Sequence, residues 1–547
     1  MTEKITITVY AATSAGGVQT DITEDIISPI TFRHGIGGIS QLDRIADVGT
    51  MSFTVKNIDN KYPDTTIVRG ARCGLIVTYD EVEVVRWAGK IESIIGKNKI
   101  GKLPTLDIKV TDYMDLLSGA KLTSQAMVTN KDLYDVICAT IPSSLIPFKY
   151  DMIWNVDDGG TVFPTVFDGG KSNSTIYSEF NKLALSGLGY IYIRQGLLNP
   201  DDNWYKSTLR GEISDSRMND EYTLSPILST ESGHIESERS ELLLAENDDY
   251  IVLDERASTD IIEEITDAYV TYGSNVISRF VVKAYPRYVD SGSQVLFELD
   301  EPFQIAAGET KTGIQITYSN PHDTTVERVN GFDMVTPVSG LDYKLNSQAD
   351  GLGTDLTANL TVTTVNADGN AADFGATGAI YKLVCVTTGG WVTVLQARGK
   401  GIYFQNPVER IIQNWSEVLP YYGLGEYTLD QKYIADITSG EGYATLLAGI
   451  EQYPRDRLES VTMIANTTPD LMRAFIYNDV GDLVHITLSD LGFSSAYYIQ
   501  NVEAKIGLNR IVTFKWGLLE AVTFTTNFFT LDDAVLGLLD SANVLGY

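Results

Sequence analysis

Cysteine and histidine are scarce in this chain, three and four among 547 residues. Cys73, Cys138 and Cys385 form an odd, scattered set, which excludes a disulfide framework or a zinc ribbon and fits synthesis in a reducing compartment. His34, His234, His322 and His485 stand alone, with no His-Glu-x-x-His spacing, so neither a metal site nor a cofactor site is expected. No apolar run reaches the roughly 18 residues of a membrane span. The opening MTEKITITVY alternates like a strand and lacks the apolar core of a signal peptide, so synthesis in the cytoplasm is expected. Basic residues are also few: Lys+Arg 41 against Asp+Glu 72, a net charge of −31. A surface of that sign repels phosphate backbones, which excludes specific nucleic-acid binding but still allows DNA to slide through an acidic passage. The excess acid also keeps a large protein soluble.

Catalytic motifs are missing too. There is no Gly-x-Ser-x-Gly elbow, no cysteine with a nucleophile's local signature, and GIGGIS (Gly35 to Ser40) is not a phosphate-binding loop. Asp157-Asp158, Glu263-Glu264 and Asp532-Asp533 could be imagined as a glycosidase's carboxylate pair. Sequence neighbours point apart on a strand, however, and 72 acidic residues produce such pairs by chance. The expectation is a non-enzyme with no catalytic, cofactor or metal residue. LPYYGLGEY (Leu419 to Tyr427) and AYYIQ (Ala496 to Gln500) could stack sugars, but tyrosines of this kind more often sit in cores or interfaces.

What the sequence does contain is strand pattern. At 44% hydrophobic and 10% aromatic the chain has ample core, and its length suggests three to five domains. ITITVY, MSFTV, CGLIVTY, EVVRWAGKIESII and TLDIKVTDY follow one another like antiparallel elements. Met51, Phe53 and Val55 alternate with Ser52, Thr54 and Lys56, and the strand runs into the polar corner Asn57 to Asp64. From Leu116 the period changes. Asn130 to Ile141 and Asn173 to Gly189 read as helices, the second with Ser174 or Thr175 to start it and Gly187 and Gly189 to end it. Asp248 to Gly273 reads as a short polar or helical element leading into a strand. Thr, Val, Gly and Asn dominate 285–405, the composition of an inserted β-sandwich. Asn406 to Gly423 and Ser439 to Asp456 read as helices. Strands follow at Leu458 to Ala465, Asp482 to Leu488, Tyr497 to Gly507 and Arg510 to Trp516, the last two as a hairpin about Gly507 to Asn509.

The run HGIGGISQLDRIADVGTMSFTVKNIDNKYPD, then VRGARCGLIVTYDEVEVVRWAGKIESI, then LDIKVTDYMDLLSG resembles the N-terminal signature of baseplate hub, or tail-tip, proteins of tailed bacteriophages. STIYSEFNKLALSGLGYIYI, PFQIAAGET, IEQYPRDRLESVTM and NDVGDLVHITLSDLGFSSAYYIQNVEAKIG resemble later parts of the family, in the same order, and FTLDDAVLGLLDSANVLGY resembles its end. The resemblance implies a mainly β, multidomain chain with α/β parts. Its expected units are a first tube-like β-barrel domain (1–122), a small α/β hub domain (123–258), the start of a second tube-like domain (259–284), an inserted β-sandwich (285–405), the completion of the second tube-like domain (406–522) and a C-terminal docking segment (523–547). In this reading the corner after Val55 leads into a long connection that packs on a neighbouring subunit or ring, and Gly89 after Trp87 marks the tight bend of the barrel. The implied function is structural, in the virion: a homotrimer under the distal tail or tail-tube ring, holding the tape-measure protein and a central fibre or other tip protein. It would close the tube until genome ejection, with DNA passing but not specifically bound. The alternative is a receptor-binding tail adhesin recognising cell-surface glycan, and a wall-degrading tail enzyme comes third.

Overall fold

In the computed structural model, the structure describes residues 6–12, 20–38, 42–62, 67–79, 82–98, 103–121, 128–140, 152–156, 162–166, 174–199, 204–212, 265–273, 276–319, 330–365, 369, 371, 374–413, 425–451, 454–488 and 491–521. The chain is mostly β, organised around one large, curled, half-barrel sheet. Among the described residues its twelve strands are β1 (Thr6–Ala12), β2 (Thr20–Asp21), β3 (Ile30–Gly35), β4 (Asp47–Lys56), β5 (Arg72–Tyr79), β6 (Val82–Lys97), β7 (Thr105–Thr111), β8 (Ile265–Thr271), β9 (Arg457–Ile464), β10 (Leu483–Leu488), β11 (Phe493–Ile506) and β12 (Val512–Glu520). Their order is β8-β9-β12-β11-β3-β4-β7-β6-β5-β1-β2, with β10 also pairing to β11.

The two tube-like regions expected at opposite ends of the chain therefore do not stand as separate sheets among the described residues. β3 and β11 pair antiparallel from Asn501↔Gly35 to Ile506↔Ile30, fusing strands more than 400 positions apart into one surface. Alternation explains how they fuse. Phe32, Met51, Phe53, Val502, Ala504 and Phe514 turn to one buried face, so each strand brings half of a common core.

Helices cover that apolar face. α1 (Met114–Gly119) falls at the end of the region expected as the first tube-like domain, α2 (Leu133–Thr140) and α3 (Ile176–Gly187) come from the region expected to be α/β, and Ile176, Phe180, Leu183 and Ala184 of α3 are buried as their spacing predicts. Thr175 Oγ1 caps α3 by accepting from the Ser178 amide at 3.2 Å. The left-handed residue that ends α3 is Leu188 (φ 52°) rather than either flanking glycine. Its side chain is fully buried in a second core with Phe280 and Leu429, and that burial offsets the backbone cost.

After β8, the strand Arg279–Ala284 pairs antiparallel with Val408–Gln413 and parallel with Glu426–Gln431. The helix expected from Asn406 is thus a strand over Val408–Gln413, where the β-branched run Val408, Ile411, Ile412 finds a ready partner edge. α4 (Ile437–Glu451) lies on this small sheet through Ala444 and Leu447. α5 (Pro469–Tyr477) has no counterpart in the sequence reading. Thr468 caps it, Pro469 occupies its first turn, and Phe475 is buried against the main sheet.

Among the described residues, 287–404 builds two sheets of its own. One gathers short strands along Gly390–Phe404, and the other consists of Thr310–Thr317, Gly378–Cys385 and Leu360–Val365. Leu345, Val392 and Leu395 of the first and Val362, Tyr381 and Leu383 of the second share one core.

Candidate functional site

Two features of the main sheet stand out: its ends are open, and its seam is ionic. At one end β8 is the last strand and carries Tyr269, 63% exposed, with Tyr272, 62% exposed, just beyond it. At the other end β1 is flanked only by the two-residue β2. Among the described residues, neither end strand has a further neighbour. Open edges present unpaired amides and carbonyls that template pairing with another chain.

The seam lies under the β3–β11 junction. His34 on β3 meets Asp479 at 2.5 Å, in the loop between α5 and β10, and Arg194 on the strand Tyr190–Asn199 meets Asp482 at 2.7 Å in the same loop. The loop braces itself, since the Asp479 amide donates to Asp482 Oδ2 at 2.8 Å and the Val480 amide to Asp479 Oδ1 at 2.9 Å. Arg86 on β6 donates to the Ile476 carbonyl at 3.3 Å and lies 5.2 Å from the Phe475 ring. Burial alone would raise the Asp479 pKa, but His34, Arg86 and Arg194 outweigh it and hold the carboxyl well below the usual range. Asp112, just after β7, has no such excess of positive partners. Burial pushes its pKa up to about 7, with His34 and the Gly49 and Met114 amides opposing. The cluster thus joins elements from the beginning, middle and end of the chain. Its His34, Arg86, Asp112, Asp479 and Asp482 are all buried, so it is a joint rather than a site open to substrate.

Gly35 lets the junction close. Its φ of 106° suits glycine, and a Cβ there would lie 2.4 Å from the Gln500 carbonyl. The neighbouring Ile36 amide donates to that carbonyl at 2.7 Å, and Asn501 Nδ2 donates to the Ile36 carbonyl at 3.0 Å. Of the lead-in glycines, Gly35 serves backbone approach between strands, whereas a Cβ at Gly37 or Gly38 would meet the side chains of Asp47 and Asp43. Gly89 has a similar role: it lies inside β6 between register shifts at Arg86 and Glu92, and a Cβ would meet the Thr111 carbonyl at 2.2 Å.

The corner after Val55 also resolves within the chain. Asp59 and Asn60 take positive φ, and Asn57 Oδ1 accepts from the Tyr62 amide at 2.8 Å. Tyr62 is buried, and its hydroxyl donates to Asp25, which Lys56 also pairs at 3.1 Å and Lys61 at 2.5 Å. The polar corner therefore buries its tyrosine in the chain's own core.

Asp157-Asp158, Glu263-Glu264 and Asp532-Asp533 lie outside the described residues, as do His234 and His322. His485 is a half-buried residue of β10. Tyr497 and Tyr498 are buried in β11 and offer no sugar platform, while Leu419 to Leu424 fall outside the described residues. Cys73 and Cys385 are buried free thiols, and burial pushes the Cys73 pKa up to about 12, far from a reactive thiolate. Among the described residues no group of three or more His, Cys, Asp or Glu could hold a metal, and no helix is long and apolar enough to cross a membrane. The pairing of His34 with Asp479 escaped the sequence reading because 445 positions separate them.

No protein-family model and no curated protein matches the sequence. Among solved structures, the chain is similar to a tail protein from Neisseria meningitidis, at 9% identity over 94% of this chain and 96% of that one, with a TM-score of 0.44. It is also similar to the 43 kDa tail protein of prophage MuSo2 from Shewanella oneidensis, at 10% identity over 95% and 99% of the two chains, TM-score 0.43. Prophage tail protein gp18 from Listeria monocytogenes matches at 8% identity over 93% and 94%, TM-score 0.37. With TM-scores under 0.5, none of the three fixes the fold or function of this chain.

Proposed function

We propose that this chain is a structural hub of a phage tail tip or baseplate, or of a related tail-like particle, and that copies of it close a ring through their open sheets. The observation that carries this reading is the half-barrel itself, a twelve-stranded curled sheet assembled from both ends of the chain and left open at β8 and at β1–β2. A sheet of this breadth reaches closure only with further strands, and rotational symmetry lets one copy's β8 edge meet the next copy's β1–β2 edge. Three copies are the number the sequence signature implies, with the fused strands of 1–122 and 406–522 as the tube-like part. The separate core within 285–405 supports treating that segment as an inserted unit projecting from the ring. The distal tail ring, the tape-measure protein and a central fibre are the proposed partners, and the action is mechanical: the ring closes the tube and opens for genome exit.

Light scattering and electron microscopy of the purified chain test this directly. A closed ring with a central opening is expected. Particles that eject DNA with the hub unchanged in conformation would refute the gating step.

A further inference from the structure

We infer that the polar face of the main sheet carries a docking trough for an extended acidic peptide segment. On β3, β4, β9, β11 and β12 the apolar side chains point to the core, and the alternate positions line an open cavity of about 380 Å³ on the other face. Three cations stand in it, Arg33, Lys505 and Lys515, bordered by hydroxyls including Thr31 and Ser52, which bond each other across the strands at 2.9 Å. Its one carboxylate is Glu503, directly opposite both Arg33 and Lys515 in strand register. Nearby cations of the sheet are already matched: Lys56 with Asp25, Lys97 with Asp107, and Lys109 with Glu92. Arg33, Lys505 and Lys515 form no ion pair with any described residue. The trough thus holds an unmatched positive excess in a chain of net charge −31.

Charge complementarity calls for carboxylates there, and the geometry favours a peptide over a nucleic acid. Five neighbouring strands give a span of roughly 19 Å, long enough for several residues of extended chain. Separated carboxylates can straddle Glu503 and reach the cations on either side, whereas a continuous phosphate backbone would be driven against it. The field of the whole molecule further opposes a polyphosphate chain. The hydroxyl border supplies partners for the peptide's own amides and carbonyls. This assignment rests on the lining of the trough and holds whether or not the chain forms a ring.

Fluorescence anisotropy of a labelled short oligoglutamate peptide against the full-length protein provides the test. Binding at low salt is expected, and the combined Arg33→Gln, Lys505→Gln and Lys515→Gln variant should bind about tenfold more weakly or worse. Glu503→Gln, which removes the opposing charge, should bind a few-fold more tightly, and Lys400→Gln on the distant Gly390–Phe404 strand should change nothing. Absence of binding, equal binding by the triple variant, weaker binding by Glu503→Gln, or an oligonucleotide that displaces the peptide from the same three cations would each overturn the proposal.

Discussion

At the scale of single residues, close backbone approach and buried charge hold the sheet together. Gly89→Ala would set a Cβ against the Thr111 carbonyl, a backbone atom that cannot swing away. It should cost about 2–4 kcal/mol, read as a lowered denaturation midpoint. Asp25 makes a pH prediction. Burial works to raise its pKa, but Lys61, Tyr62 and Lys56 win and bring it from 3.8 to about 2. A depressed carboxylate stabilises the fold above its unfolded pKa, and that contribution disappears as pH falls from about 4 through 2. Asp25→Asn should therefore lower stability at neutral pH and show a shallower loss in acid. Asp112 has the opposite sign. With its folded pKa raised from 3.8 to about 7, its contribution is fullest below pH 4 and is lost as pH climbs through 7. Asp112→Asn should flatten the fall in thermal midpoint between pH 4 and 7.

At the scale of elements, the seam between β3 and the Asp479 loop should behave as a coupled unit. Asp479→Ala leaves buried His34 without its carboxylate and buried Arg86 with only Asp482 to oppose its charge, and should cost about 3–5 kcal/mol. A double-mutant cycle with His34→Ala should recover part of that cost, because the two side chains meet in one buried contact. The individual strands were legible in the sequence, since Met51, Phe53 and Val55 of β4 and the β11–β12 hairpin turn at Gly507 announce themselves by alternation and glycine placement. α3 was equally legible, with its cap and buried face in register. The strand Val408–Gln413 was not, because a short apolar run has no decisive period and its identity depends on the edge at Arg279–Ala284. α5 was hidden by its brevity, although Thr468 and Pro469 carried its start signal. The ionic seam had no local signature, because His34, Arg86, Arg194 and the Asp479–Asp482 loop come from distant parts of the chain.

At the scale of the whole molecule, hydrophobic pattern could reveal two β-rich ends but not that they share a sheet, since register between distant strands is decided by the common core. That shared, open-edged sheet is what the proposed assembly function rests on. Tyr269 and Tyr272, exposed at the β8 edge, would be covered in the ring. Charging them, as Tyr269→Lys with Tyr272→Lys, should weaken self-association at least about tenfold while leaving the thermal midpoint of the single chain within a degree or two. The most direct test of the central claim is concentration-dependent hydrogen exchange of the Ile265–Thr271 amides alongside imaging of the same samples. The account predicts that these amides gain protection as closed, threefold rings appear. A chain that stays monomeric at high concentration, with exchange at this edge unchanged throughout, would contradict it.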